Sequence, residues 1–245
     1  MHSKPPDATK QPPSKEAVAI KSILERWELT LDDLTKIVDG NPSLRGMMLG
    51  YIAEYVLHKR HFTDARLSGV GKDDDHDRSK KGDLRFLYRG HNFRIECKSL
   101  QTNMVKDLGD GKFAGTFQCD ASDRRPVDFS DGSRIETTCL LVGEFDIVAV
   151  NLFAFKNEWL FAFALNRDLP RSTHKKYTAF QQKSLLASSM KISIPLQAPY
   201  VSDPFQLLDI LAEERKSQPM QAVISSDPSQ KSGSTSDFFE NGAVS

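Results

Sequence analysis

The chain has 245 residues, enough for one sizeable hydrophobic core, and its 33 basic residues balance its 33 acidic ones, so only local basic clusters can attract phosphate groups. Its cysteines, Cys97, Cys119 and Cys139, include no close pair, which argues against a structural zinc site and a disulfide scaffold and favours a cytoplasmic protein. No segment approaches the roughly 18 continuous apolar residues of a membrane span, so we expect no membrane partner.

The chain is predicted to form one folded unit, 15–215, between two disordered ends. Residues 1–14 are rich in proline and 216–245 in Ser, Gln, Asp and Gly, so neither offers much that a core can bury. Within the folded unit, the acidic run Asp73–Asp77 is predicted to be a flexible loop. It lacks the glycine and the distal glutamate of a calcium-binding loop.

The first part of the folded unit is predicted to be helical. Apolar residues recur at helical spacing from Val18 to Ile37, and after the break at Gly40–Ser43 they recur again as far as about Lys59. The large aromatic residues of this part fall on the apolar side of the pattern. We therefore expect the following residues in the core: Trp27, Tyr51 and Tyr55, together with Trp159 further along the chain. His58 and His61 are expected at the surface or as capping residues.

The pattern changes to that of strands after the acidic run. Leu84, Phe86 and Tyr88 alternate along one short strand, and Phe93, Ile95 and Cys97 along the next, with a turn between them. Two apolar runs, 145–155 and 159–165, are typical of adjacent buried strands. The remaining elements predicted are a helix at 178–189, a strand at 191–195 and a helix at 204–214. The fold class is therefore α/β, with a sheet of mixed strand direction.

Asp83, Glu96 and Lys98 form the group of residues that can carry chemistry. Successive side chains of a strand point to opposite faces, so Glu96 and Lys98 share one face while Cys97 turns to the other. Asp83 opens the preceding strand, and a hairpin can bring its carboxylate near Glu96. Two carboxylates and an ammonium group at one end of a hairpin suit the hydrolysis of a phosphodiester.

Magnesium is the cofactor that this group favours, because Mg²⁺ prefers carboxylate and water oxygens. A metal held by Asp83 and Glu96 would acidify the attacking water and screen the charge on the phosphate. Lys98 would position or deprotonate that water, or pair with a phosphate oxygen. The main-chain carbonyl of Cys97 is a further candidate ligand.

Gly82-Asp83, followed by Glu96-Cys97-Lys98, resembles the PD-(D/E)xK motif of restriction-endonuclease-like nucleases, with Gly82 in place of the motif's proline. The resemblance covers about 43–165 and implies a central mixed sheet flanked by helices. It implies Asp83 and Glu96 as ligands of Mg²⁺, with Mn²⁺ as a substitute, and Lys98 as the catalytic lysine. Glu54, on the helix before the hairpin, matches an auxiliary glutamate that can bind a second metal directly or through water.

The function implied by the resemblance is Mg²⁺-dependent endonucleolytic cleavage of double-stranded DNA, as by a type II-like restriction endonuclease. A homodimer is expected, because cutting both strands needs two sites. The alternatives are a repair or junction-resolving nuclease of the same fold, a non-catalytic DNA-binding protein on that fold, and a protein whose termini bind partners. From the residues alone, Glu96 and Lys98 also fit an exposed ion pair on a surface hairpin, contributing about 0–1 kcal/mol.

Two polar segments are candidates for DNA contact, and for each the alternative is a solvated loop. The insert between Lys98 and Cys139 can reach base edges or phosphates through three residues: Gln118, Arg124 and Arg125. The loop that follows the apolar run at 159–165 can hold phosphates through four basic residues: Arg167, Arg171, Lys175 and Lys176.

Overall fold

The computed structural model describes residues 21–72 and 82–217. The predicted leader, the acidic run Asp73–Asp77 and the tail beyond Ser217 lie outside the described residues. The helices found in the described part are α1 (Ile23–Trp27), α2 (Leu31–Gly40), α3 (Pro42–His61), α4 (Phe153–Lys156), α5 (Ala179–Ser184) and α6 (Pro204–Ser217). None of the helices in these two ranges is long and apolar enough to cross a membrane.

The strands of the described part form three sheets. They are β1 (Leu67–Gly71), β2 (Leu84–Tyr88), β3 (His91–Ser99), β4 (Lys106–Gly109), β5 (Lys112–Gln118), β6 (Asp120–Asp128), β7 (Arg134–Cys139), β8 (Ile147–Asn151), β9 (Phe161–Leu165) and β10 (Ser189–Ile194). The central sheet has the order β1-β2-β3-β8-β9, in which only the β3–β8 pair is parallel. A mixed α/β fold is therefore confirmed. The other sheets are β10-β5-β4 and the hairpin β6–β7.

The central sheet lies between two hydrophobic clusters. Strand β8 is buried on both faces: Ile147 and Ala149 belong to the cluster that includes Leu57 of α3, and Val148 and Val150 belong to the cluster that includes Phe117 of β5. This burial confirms the prediction of adjacent buried strands, because β8 pairs with β9 along its whole length. The second half of the apolar run 145–155 differs from the predicted strand, since Phe153–Lys156 forms the helix α4.

The N-terminal helices begin where the sequence offers caps. Ser22 and Thr30 each form a reciprocal capping box, with Glu25 and Asp33 respectively, and Pro42 opens α3. These helices bury little, however. Neither α1 nor α2 has a buried residue, and α3 buries only Ala53 and Leu57.

The prediction of a core position was wrong for three aromatic residues of these helices. Trp27, Tyr51 and Tyr55 are 60%, 55% and 64% exposed. Helix α1 buries no residue and α3 buries only two, so these side chains remain outside the core. Trp159 packs partly buried against the first cluster, as expected. His61 is half-buried rather than fully at the surface, since its ring packs edge-on against Phe161 and Phe163.

The polar insert between Lys98 and Cys139 is built of strands β4 to β7. In β5 the alternate residues Phe113, Gly115 and Phe117 are buried, and the strand pairs with β10. The helix predicted at 178–189 is shorter, because the chain leaves it to bury Leu185 and Leu186 completely.

Candidate active site

A tight β2–β3 hairpin sets the position of Asp83 relative to Glu96. The turn uses Arg89 and Gly90, both with positive φ, as a two-residue hairpin turn requires. Leu84 pairs with Ile95, so Asp83 comes directly across from Glu96, and the Asp83 N–H donates to the Ile95 carbonyl at 2.8 Å. Gly82 has a φ of 97°, which proline cannot adopt. The backbone conformation therefore accounts for glycine at the motif's proline position.

The Asp83 carboxylate is held at the edge of the hairpin by main chain. The Cys97 N–H donates to its Oδ2 at 2.7 Å. Burial raises the pKa of Asp83 to about 7, with further contributions from the negative charges of Glu96 and Glu54. The carboxylates of Glu96 and Glu54 are thus close enough to oppose the ionisation of Asp83.

Glu96 and Lys98 form a buried ion pair on the same face of β3. The Nζ of Lys98 lies 2.7 Å from Oε1 of Glu96 and donates to the Asp120 carbonyl at 3.1 Å. The side chains of Glu96 and Lys98 are only 11% and 20% exposed, so they do not form the exposed surface ion pair that the sequence also allowed. Burial disfavours the Lys98 ammonium, but the charge and hydrogen bond of Glu96 outweigh it and raise the pKa of Lys98 above its usual value.

Helix α3 brings Glu54 to the same place. Gly46, Gly50 and Glu54, spaced four residues apart on one face of α3, line a cavity of about 400 Å³ together with Asp83 and Ser122. Lys72 also lines the cavity, and its Nζ lies 2.6 Å from Oε2 of Glu54. The cavity is open because a side chain added at Gly46 or Gly50 would meet nothing within 4 Å.

The carboxylates are engaged with internal partners. Within 21–72 and 82–217, no three His, Cys, Asp or Glu side chains converge closely enough to hold a metal ion. Magnesium needs only one or two carboxylates plus waters, a number that Asp83 and Glu96 supply from opposite positions of the hairpin. The main chain of Cys97 borders the Asp83 carboxylate through its N–H, and its carbonyl stays a predicted ligand. The donor set therefore fits Mg²⁺ if Asp83 or Glu96 exchanges its present partner for the ion.

The residues predicted to contact DNA lie in different surroundings. Arg125 is 2.5 Å from Oε2 of Glu144, Arg167 is 2.5 Å from Oε2 of Glu214, and Arg171 donates to main-chain carbonyls. These three guanidinium groups are thus used within the fold. The exposed members of the predicted set are Gln118, Arg124, Arg167, Lys175 and Lys176, of which Arg167 is held in its ion pair with Glu214. None of the seven lines the Glu54–Asp83 cavity.

Three groups of the site are not evident from the sequence. Lys72 and Ser122 line the cavity, and the Asp120 carbonyl anchors Lys98. The sequence signal that does exist is the four-residue spacing of Gly46, Gly50 and Glu54, which marks a single helix face with room in front of the carboxylate.

Comparisons with known proteins provide little information about this chain. No family model matches the chain. No curated protein matches it either. Among solved structures, the chain is similar to a bacterial homing endonuclease, I-Ssp6803I, with a TM-score of 0.33 and 15% sequence identity over 69% of this chain and 94% of that chain. This similarity is too low to establish a shared fold, so the geometry of the site has to carry the functional argument.

Proposed function

We propose that the protein is a Mg²⁺-dependent endodeoxyribonuclease with an active site of the PD-(D/E)xK type. One observation carries the proposal: the hairpin register sets Asp83 across from Glu96 while Lys98 lies on the same face as Glu96. Asp83 also lines an open cavity beside Glu54. This is the arrangement that the spacing of the motif predicts, in the chain order helix, hairpin and buried strand.

The proposed metal ligands are Asp83 and Glu96, with Glu54 and the Cys97 carbonyl as auxiliary ones. When bound, Mg²⁺ would acidify a water molecule and compensate charge on the phosphate, and Mn²⁺ would substitute for it. Lys98 carries a full positive charge, and Glu96 and the Asp120 carbonyl hold its Nζ in place. It would hold the attacking water or a phosphate oxygen.

The proposed substrate is double-stranded DNA, and the finer proposal is a type II-like restriction endonuclease acting as a homodimer. Exposed Gln118 and Arg124 lie on strands that adjoin the Asp120 anchor of Lys98, so they are suited to contact DNA near the cut. Lys175 and Lys176 are exposed and would contribute to DNA binding only through electrostatic attraction to the phosphates.

The test is incubation of the purified protein with plasmid and phage DNA in the presence of Mg²⁺ or Mn²⁺, beside Asp83→Ala and Lys98→Ala. Asp128→Ala and Lys112→Ala, exposed residues outside the cavity, are the matched controls. Discrete fragments from the wild type and the controls alone support a restriction-type enzyme. Nicking or smearing that the two site variants lose supports a repair or junction-resolving nuclease. Cleavage that Asp83→Ala retains, or no cleavage at all, contradicts the proposed active site.

A further inference from the structure

A second cavity, of about 600 Å³, adjoins the cavity of the proposed active site and shares Gly46 with it. It lies between the start of α3, the segment 99–103 that follows the catalytic strand, and the chain around α4. Its volume is in the range of small-molecule sites, which are mostly apolar with a few convergent polar groups.

Three carboxamides that line this cavity, two of them exposed, make no side-chain hydrogen bond to another described residue. The side chains of Gln101, Asn103 and Asn157 line it, and within the described residues none of them makes a side-chain hydrogen bond. The fourth carboxamide of the lining, Asn151, differs because it is buried and bonded to Ser99 and to the Phe153 N–H. The three unpaired amides therefore present donors and acceptors to whatever enters.

The rest of the lining combines apolar side chains with the hydroxyl groups of Ser99 and Thr102 and is nearly uncharged. Leu49, Leu100 and Phe153 supply apolar walls, and no carboxylate lines the cavity. Its charged lining residue is Arg45, which faces Asp39 at 3.8 Å. A metal ion would find no anionic ligand here. A flat, neutral ring with polar edges suits such walls, since its faces pack on apolar groups and its edges pair with amides.

The cavity lining is close in sequence to Lys98, the proposed catalytic lysine. Gln101 follows Lys98 by three residues at the end of β3, a span of at most ~11 Å. Each nucleotide of a DNA strand rises about 3.4 Å along the helix axis. The Cα atoms of Lys98 and Gln101 are thus separated by no more than about three nucleotide rises.

We propose that this cavity binds a nucleobase of the substrate strand after it has left the base stack, an inference that rests on the proposed function for the identity of the substrate. In a duplex the faces of a base are covered by its neighbours, so the apolar walls can receive only an unstacked base. Gln101, Asn103 and Asn157 would read its edge, and the pocket would set sequence preference next to the cut.

The test begins with the protein alone, without metal and without cleavage. The full chain, labelled with ¹⁵N and kept in EDTA, is titrated with each of the four deoxynucleoside 5′-monophosphates and with deoxyribose 5-phosphate. The side-chain amide signals of Gln101, Asn103 and Asn157 should shift with at least one nucleotide and not with the sugar phosphate. Asn103→Ala should weaken that binding roughly three- to tenfold, as expected for one lost hydrogen bond. Gln206→Ala, which removes an exposed amide of α6 outside the cavity, should not.

A second measurement uses duplex DNA that carries 2-aminopurine at successive positions around the cut, with Ca²⁺ replacing Mg²⁺. A rise in fluorescence at one position, lost in Gln101→Ala, supports an extruded base. Shifts caused equally by deoxyribose 5-phosphate, or no shift of the three amides with any nucleotide, overturn the inference even if the enzyme cuts DNA. Shifts in a protein that cuts nothing leave the nucleobase pocket standing and remove the proposed function instead.

Discussion

Asp83 and Glu96 face each other across the β2–β3 hairpin, yet their carboxylates have different partners. Glu96 is 2.7 Å from the Lys98 ammonium, whereas the Asp83 carboxylate accepts a neutral main-chain N–H, from Cys97, at the same distance. One carboxylate is therefore part of an ion pair and the other is a buried acid beside two like charges. Substitutions that remove their charges should have opposite effects on stability.

Asp83→Asn is expected to stabilise the metal-free protein while abolishing cleavage. The amide keeps an oxygen for the Cys97 N–H and removes the repulsion with Glu96 and Glu54. We expect the thermal midpoint in EDTA at pH 8 to rise by about 2–4 °C for each kcal/mol gained. Asp128→Asn, on an exposed carboxylate, is the control. A lower midpoint for Asp83→Asn would show that the carboxylate stabilises the fold.

Glu96→Gln is expected to destabilise the protein as well as abolish cleavage. It leaves the Lys98 ammonium, only 20% exposed, without its carboxylate. Removing one partner of a buried pair costs about 3–5 kcal/mol, and the Asp120 carbonyl should keep the loss near the lower value. Urea unfolding measures the change, with the exposed Glu136→Gln as the matched variant. Equal stability of the two variants would contradict a structural contribution from the ion pair.

Gly46→Ala and Gly46→Leu should separate stability from activity. Open space faces Gly46, so alanine should stabilise α3 by roughly 0.5–1 kcal/mol without a clash. Gly46 lines both cavities, so a leucine side chain at this position would occupy space in them. This variant should lower the cleavage rate about tenfold or more, equivalent to ~1.4 kcal/mol. Gly40→Leu, which faces open space away from both cavities, is the control. Full activity of Gly46→Leu would place the substrate elsewhere.

Arg124→Ala and Arg125→Ala should differ although the residues are neighbours. Arg124 is exposed, so its loss should weaken DNA binding at all sequences and reduce the salt dependence by about one phosphate contact, with stability unchanged. Arg125 is paired with the nearly buried Glu144, so its loss should cost about 3–5 kcal/mol of unfolding free energy. DNA binding at several salt concentrations and urea unfolding together test both statements. A stable Arg125→Ala variant would refute the second.

His61 should make the protein less stable as the pH falls. Burial lowers the pKa of His61 in the folded protein, with a further contribution from the charge of Arg60, while Asp203 opposes the shift. Below about pH 6.5 the unfolded chain therefore binds a proton that the folded protein takes up less readily, which favours unfolding.

The matched variant for this pH dependence is His61→Phe, which keeps a ring against Phe161 and Phe163 but cannot titrate. Between pH 7 and pH 5 the wild type should lose more unfolding free energy than His61→Phe, as measured with urea. His91→Gln, at the start of β3, should follow the wild type. A constant difference between wild type and His61→Phe across this range would contradict the prediction.

The hairpin was predictable because its residues are local in sequence. Apolar and polar residues alternate along β2 and β3, which indicates that one face of the hairpin is buried. A turn of two residues then fixes a single pairing register between the two strands. Strands β4 to β7 were missed because they show little apolar alternation, since β4 has no buried residue and β6 buries only Val127, and because part of their pairing is not local. Strand β5, for instance, pairs with β10, and Gln118 meets Ser189 far along the chain.

Tertiary packing accounts for the other differences. A helical apolar pattern identified α3 but does not show how much of that face another element covers, so Tyr51 and Tyr55 remain exposed. The Lys72–Glu54 pair and the Asp120 anchor of Lys98 join segments 18 and 22 residues apart, and neither has a sequence signature.

Strand β3 is hydrogen-bonded on both sides, to β2 and to β8, whereas within the described ranges β6 and β7 pair only with each other. The register of β3 is therefore fixed by two neighbouring strands. Deleting one residue from the Arg89-Gly90 turn would invert which face carries Glu96 and Lys98. The tip of the β6–β7 hairpin, around Asp131 and Gly132, is free of that constraint. A peptide tag or a longer loop inserted there would change the exposed surface of the protein without altering the register of Glu96 and Lys98.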